Sequence, residues 1–338
     1  MPAEWENPKA ILLTYPGVHT DWAPILTEAR GQFRDLISAL IDAREFVWLI
    51  TDRDIETHLR EKIESNEGII FEEIPFNDTW TRDYGPITVL DEEKRILHLD
   101  FGFNGWGLKF PADHDNLVNL RMAQSGIIPE LYECYENHLD FELEGGSVET
   151  DGKGTILTTS RCLCSPNRNG GKGKKEIEEI LKEKLGAHRV LWLDHGFLEG
   201  DDTDSHIDTL ARMAPEDTIL YVAPPQNDTD IHYEELVKME QQLHQFLTPS
   251  GQYYRLIPLP FPNPIYDEEG NRLPATYANY LVTGWNLFLP TYAQPSKDSE
   301  AVHAVQMAFP EHKIYTVDCR TLIKQHGSLH CSTMQLYI

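Results

Sequence analysis

Gly200-Asp201-Asp202-Thr203-Asp204-Ser205-His206-Ile207-Asp208 places four aspartates and a histidine within nine residues. Apolar positions follow at once, at Leu210, Ala211 and Met213. Carboxylates beside a core segment are costly to desolvate unless a cation or hydrogen bonds compensate them. The cluster therefore implies a cation, either a metal or an organic one. Asp204 and Asp208 are spaced i, i+4. On a strand they share one face with His206, whereas on a helix only the two aspartates share it. Thr203 or Asp204 can cap a helix that begins near His206, but one cap does not use up four acids.

Four further segments carry reactive or binding side chains. Trp80-Thr81-Arg82-Asp83-Tyr84-Gly85-Pro86 follows a strand pattern and ends in a Gly-Pro turn. Strand-end loops are common sites of function, although an exposed Arg–Asp pair alone stabilises little. Phe101-Gly102-Phe103-Asn104-Gly105-Trp106-Gly107 is a Gly/aromatic loop whose ring faces suit a flat cation. Glu144-Gly145-Gly146-Ser147 suggests a close backbone approach beside a buried acid. Gly327-Ser328-Leu329-His330-Cys331-Ser332 sets a cysteine in a turn, where it is either a placed nucleophile or an inert buried thiol.

A cysteine, a histidine and several carboxylates on separate loops match a nucleophile, a base and an orienting acid. Extra acids make sense if the substrate is itself a cation. A guanidinium is flat, permanently charged and has five donors, so two carboxylates can grip it from two sides. A metal-dependent hydrolase is the rival reading of the Asp/His cluster. Its weakness is the ligand spacing, since His195, the next histidine upstream, lies eleven residues before His206. A guanidine-binding protein without catalysis is a third reading, but binding alone needs no placed cysteine. Cys162-Leu163-Cys164 lacks the usual zinc spacing.

The elements that must position these residues alternate short β-branched runs with amphipathic helices. Strands are expected over 10–15, 46–50, 69–74, 87–90, 96–101, 155–159, 190–193, 219–223, 254–259, 280–289 and 313–317. Helices are expected over 25–43, 54–66, 116–125, 174–185, 233–246 and 300–309. Thr150–Gly154 reads as a hairpin turn. No stretch reads as a linker and no literal repeat is visible, so one α/β domain spanning 1–338 is the economical organisation.

The formal charge is −26, from 29 basic and 55 acidic residues. That surface disfavours nucleic acid and anionic membranes and draws in small cations. No apolar run approaches a membrane span and the N-terminus lacks a signal pattern, while five cysteines are an odd number. A reducing cytoplasm is the expected location.

Trp80-Thr-Arg-Asp83-x-Gly-Pro, Phe103-Asn-x-Trp106-Gly, Glu144-Gly-Gly-Ser, Asp202-Thr-x-x-His206-x-Asp208, Tyr277-x-Asn279 and Leu329-His330-Cys331 occur in this order. The chain thereby resembles the agmatine deiminase and bacterial peptidylarginine deiminase family of guanidine-modifying enzymes. The resemblance implies a five-bladed α/β propeller, the pentein fold, with the site on its central axis. It further implies that Cys331 is the nucleophile, His206 the acid and base, and Glu144 the group that orients His206. Asp83 and Asp208 would grip the guanidinium, while Trp80, Trp106, Asn279 and Asp202 would line the substrate. No metal or cofactor is implied. The expected partner is a small cationic guanidine, and a homodimer is the assembly considered.

Agmatine suits the acidic chain because it adds an amine and lacks a carboxylate. Family members that take C-terminal arginine are expected to hold its carboxylate with arginines after the Asn-x-Trp segment. Here Gly107–Asp115 has one lysine and no arginine, so peptidyl arginine is the alternative. The chain departs from the commonest agmatine deiminase pattern in having Tyr84 where Thr is usual and Asp204-Ser205 where Asn-Gly is usual. Spare acids at Asp201, Asp202 and Asp204 are expected to suit a dication.

Overall fold

The computed structural model describes residues 1–52 and 68–337, so the helix expected over 54–66 lies outside the described residues. The described strands form five small sheets, and all five share one recipe. A short edge strand runs antiparallel to a central strand, and a crossover containing a helix brings a third strand parallel to the centre.

One sheet joins Ile87–Leu90, Ile96–Gly102 and Tyr135–Glu142. The next joins Val148–Thr150, Thr155–Thr159 and Arg189–Leu193. A third joins Ala211–Ala214, Thr218–Val222 and Arg255–Leu259. A fourth joins Leu281–Thr283, Asn286–Thr291 and Lys313–Asp318. In the remaining sheet the edge strand, Met334–Leu336, comes from the far end of the sequence and pairs with Ala10–Thr14. Val47–Thr51 and Ile69–Glu73 follow in parallel. The repeat is one of topology, which explains why no sequence repeat reveals it.

Local sequence accounts for these elements. Ala10–Thr14 and Val47–Thr51 are buried throughout, as continuous apolar runs in parallel pairs are. Helix Leu26–Asp42 buries Ala29, Phe33, Leu36, Ile37 and Leu40, one face at helical spacing. Helix Lys174–Leu185 buries Ile177, Leu181 and Leu185 and stops at Gly186, whose φ of 68° only glycine adopts freely. The 150–154 hairpin is present, its Asp151 carboxylate accepting from Lys153 and Thr155 backbone N–H groups at 2.7 and 2.9 Å.

The strand expected over 280–289 is a hairpin, because Gly284 at φ 41° turns the chain between Thr283 and Asn286. The last helix runs over Pro295–Ala308, starting earlier than expected with proline in its first turn, where no N–H is needed. Tyr135–Glu142 was not expected as a strand; its YENHLDFE sequence is too polar to show a period of two. The edge strands Ala211–Ala214 and Met334–Leu336 are too short to carry any period.

By contact density the chain divides into two compact units. One comprises Met1–Trp5 with Gly146–Leu329 and holds three sheets; the other comprises Glu6–Gly145 with His330–Ile338 and holds two. Among the described residues no helix is long and apolar enough to cross a membrane.

His98 lies buried on the central strand Ile96–Gly102, its Nδ1 3.2 Å from the Thr88 hydroxyl on the paired edge strand. Burial pushes its imidazole down to about 4 from 6.5. The unfolded chain therefore binds a proton before the folded one does. Neutral His98 contributes stability that is present above pH 6.5 and is lost as pH falls towards about 4. Urea unfolding between pH 7 and pH 4 should show the wild type losing up to about 3 kcal/mol more than His98→Gln. Parallel pH profiles for the two proteins would refute this.

Candidate active site

Each sheet receives one of the expected reactive or binding residues at an equivalent place, two to four residues ahead of its antiparallel edge strand. Asp83 precedes Ile87–Leu90, and Glu144 precedes Val148–Thr150. Asp208 precedes Ala211–Ala214, Asn279 precedes Leu281–Thr283, and Cys331 precedes Met334–Leu336. His206 lies two residues before Asp208, and Trp106 follows a central strand. All seven are at most 5% exposed.

In the unit of Glu6–Gly145 and His330–Ile338, Asp83 sits on a single helical turn, Thr81–Tyr84. Gly85 closes that turn in an extended conformation, as a residue before proline must. A Cβ at Gly85 would lie 2.5 Å from the Thr81 carbonyl oxygen. The Trp106 indole N–H donates to Asp83 Oδ2 at 2.8 Å, which fixes the plane of the carboxylate. Trp80 lies against Trp22 with ring centroids 5.7 Å apart, and Trp22 in turn donates to Thr79 Oγ1 at 2.8 Å. The expected close approach at Gly145 is present: a Cβ there would sit 2.2 Å from the Arg82 carbonyl oxygen. Glu144 is 1% exposed.

Trp106 occupies an unusual backbone. Gly105, Trp106, Gly107 and Leu108 all have positive φ, at 68°, 55°, 82° and 69°, forming one left-handed turn. Such a turn costs an L-residue about 1–2 kcal/mol, so two of its four places are glycine. The Asn104 carboxamide oxygen accepts from Gly107 N at 2.8 Å and pins the turn. Phe103 and Phe110 pack edge-on against the indole at 5.0 and 5.5 Å. Strain held this firmly is common where a side chain must be aimed.

In the unit of Met1–Trp5 and Gly146–Leu329, Asp208 and Asn279 come together. Asn279 Nδ2 donates to Asp208 Oδ2 at 3.2 Å. Arg212, 1% exposed, donates from Nη1 to the carbonyl oxygens of Ala278 and Tyr280, on either side of Asn279, at 3.0 and 2.5 Å. The Glu149 and Glu4 carboxylates bind the same guanidinium at 2.5 Å each. These two anions hold Arg212 protonated well above the usual range, against the opposing effect of burial.

His206 follows a strained turn. Asp204 and Ser205 have φ of 66° and 64°, values that Asn and Gly tolerate better. Arg168, 1% exposed, holds this turn by donating to Asp204 Oδ2 at 2.6 Å and to the Thr203 carbonyl at 3.1 Å. Asp201 accepts from Thr203 Oγ1 at 2.5 Å and from Ser205 N at 2.7 Å. Two of the spare acids are thus used within the chain, which corrects their expected role at a dication. The cation implied for Asp204 is Arg168. Asp202 remains half-buried. No helix is capped by Thr203 or Asp204; instead Thr203 Oγ1 accepts from His206 N at 3.1 Å ahead of a 3-10 turn, Ile207–Thr209.

Sequence reading missed the buried arginines. Arg82 stood inside a motif but was weighed as half of an exposed pair, and it is 4% exposed. Arg168 and Arg212 have no local signal at all.

Fold and side chains together define an α/β protein of five small sheets, with a cysteine, a histidine, an asparagine and several carboxylates buried in the turns ahead of the edge strands. A family model described as Porphyromonas-type peptidyl-arginine deiminase matches residues 1–336. The chain belongs to that family. A crystal structure provisionally described as a peptidyl-arginine deiminase is 43% identical, with a TM-score of 0.94 over 100% of this chain and 98% of that one. A cysteine-to-serine variant of C. jejuni agmatine deiminase with substrate bound is 36% identical, with a TM-score of 0.90 over 100% and 96%. A relative from Shewanella sp. strain MR-4, provisionally named agmatine deiminase, is 32% identical over 99% of this chain and 93% of its own. The likeness covers the whole chain, so the fold class is the α/β propeller of these deiminases, and the five sheets are its blades.

The Asp204-Ser205 turn yields a stability prediction. Ser205 is buried and left-handed, and its hydroxyl makes no hydrogen bond to a described residue. Ser205→Gly removes a left-handed penalty of about 1–2 kcal/mol, offset by about 0.5–1 kcal/mol of extra glycine entropy. The variant should be more stable by about 1 kcal/mol in denaturant titration. A loss of stability would show that the turn is not strained at this position.

Proposed function

We propose that the protein is an agmatine deiminase that hydrolyses agmatine to N-carbamoylputrescine and ammonia. The observation that carries this reading is Asp83. Its carboxylate, aimed by Trp106, belongs to the same turn whose Thr81 and Arg82 hold the chain around Cys331. An anion able to bind a guanidinium is thus carried on the turn that holds the backbone of a cysteine.

Asp83 and Asp208 bind the guanidinium nitrogens, and the Cys331 thiolate attacks the central carbon. The tetrahedral adduct expels ammonia, which takes a proton from His206, and a thiouronium remains on the sulfur. His206 then removes a proton from water, whose oxygen attacks the same carbon. Collapse returns the thiolate and releases the carbamoyl product, the remaining hydroxyl proton passing through solvent to the departed ammonia, while His206 keeps the first proton for the next cycle. Glu144 orients His206 and favours its protonated form. A delocalised guanidinium is a poor electrophile, so the attack needs a strong nucleophile held in line. Trp80 and Trp106 wall the site, with Asn279 and Asp202 at the substrate. The chemistry needs neither metal nor cofactor.

The tail of the substrate is read as an amine. The Gly107–Asp115 loop offers Lys109, which is exposed, and no arginine for a carboxylate. Peptidyl arginine is therefore the second reading, supported by the family description. We place the enzyme in putrescine formation in the cytoplasm, as a homodimer.

Ammonia release should be measured from agmatine, free arginine and a peptide ending in arginine. Agmatine should be turned over, and Cys331→Ala should lower kcat by at least about 10³-fold, as loss of a covalent nucleophile does. Turnover of the peptide alone would replace the agmatine reading with the second one. Undiminished turnover by Cys331→Ala would end the covalent mechanism.

A further inference from the structure

Cys331 lies on a segment with no regular structure of its own, between the 3-10 turn Leu322–Gln325 and the edge strand Met334–Leu336. Three consecutive carbonyl oxygens of this segment are each held by one of two adjacent residues far away in sequence. The Arg82 guanidinium Nε donates to His330 O at 3.4 Å. The Arg82 backbone N–H donates to Cys331 O at 3.1 Å. The Thr81 hydroxyl donates to Ser332 O at 2.8 Å.

Two further nitrogens of the Arg82 fork reach the edge strand that follows. Nη2 donates to Gln335 Oε1 at 2.5 Å, and Nη1 lies 3.4 Å from Met334 Sδ. The Arg82 carbonyl faces Gly145, next to Glu144, so closely that no side chain fits there. Asp83 is the next residue along. Thr81 and Arg82 therefore touch the turns of Cys331 and Glu144 and carry the turn of Asp83. Burying a guanidinium is expensive, and a purely structural clamp would be cheaper in hydrocarbon. What an arginine adds is a rigid planar fork that fixes several acceptors in one geometry.

We infer that Thr81 and Arg82 are positioning residues that set the nucleophile in line with the guanidinium gripped by Asp83. The inference rests on the deiminase reading and deepens it. Held this way, the Cys331 backbone cannot move independently of the turn that carries Asp83. Displacement of a reacting atom by about 1 Å costs on the order of 10²-fold in rate. The Asp83 grip itself, fixed by Trp106, does not pass through these bonds.

Thr81→Val removes one hydroxyl at constant volume, and Arg82→Lys keeps the charge while losing the fork. Per folded protein, each should lower kcat for agmatine by about 10- to 100-fold while KM stays within about threefold. The opposite change is expected in alkylation of resting Cys331 by iodoacetamide, read on the peptide that contains it. A loosened turn exposes this 5% exposed thiol, so alkylation should be faster while turnover is slower. Folding is checked by circular dichroism and thermal midpoint, and if Arg82→Lys does not fold, Thr81→Val decides. The inference is overturned by folded variants with kcat within about twofold and wild-type alkylation rates, or by a loss that disappears on normalising to folded protein. If the wild type itself turns over no guanidine, the deiminase reading falls, and the alkylation rates alone judge whether Thr81 and Arg82 position the thiol.

Discussion

The backbone carbonyls of His330, Cys331 and Ser332 accept hydrogen bonds from Arg82 and Thr81, and those three bonds tie the Cys331 segment to a turn far away in sequence. The segment has no sheet or helix ladder of its own at this point; Thr333 donates to His330 O from within it, and further partners come from elsewhere. Those further partners are Thr81 and Arg82, on the turn that carries Asp83. One constraint thus satisfies buried peptide groups and joins the thiol to an anion. Gly85 and Gly145 are glycine for the same reason, since backbone or Met334 occupies the space a Cβ would need.

Buried arginines extend this logic through a strongly acidic chain. Arg168 holds the strained turn ahead of His206, and Arg212 binds the two carbonyls that flank Asn279. Each takes a permanent charge out of water, which is tolerable only with several well-placed acceptors. Arg212 has two carboxylates as well as the carbonyls. Surrounding acids therefore compensate the protein's own guanidinium groups, and Asp204 is one of them.

The five-fold recurrence of the sheet explains how so many loops deliver one residue each. Every edge strand begins after a turn that must leave the previous unit, and those turns are where Asp83, Glu144, Asp208, Asn279 and Cys331 stand. The sheets supply stiffness from apolar strands such as Ala10–Thr14 and Val47–Thr51. The turns, free of ladder requirements, supply chemistry. The left-handed stretch at Gly105–Leu108 shows the cost of aiming a side chain that way.

Residue type and order alone pointed to the candidate side chains: a cysteine in a polar turn, a histidine amid aspartates, and tryptophans in two loops, all in the order of a known family. Local periodicity also determined most helices and central strands, because apolar faces at spacings of 3.6 or 2 are written in neighbouring residues. Short edge strands and the polar Tyr135–Glu142 strand were illegible, since their pairing partners and not their own sequence define them. Only the tertiary structure decided that Asp204 belongs to Arg168, that Asp201 serves its own turn, and that Arg82 is buried against residues 330–335. The reason is separation along the chain. Arg82 and Gln335 are 253 positions apart, and no local pattern encodes which buried charge meets which acceptor once the chain has folded.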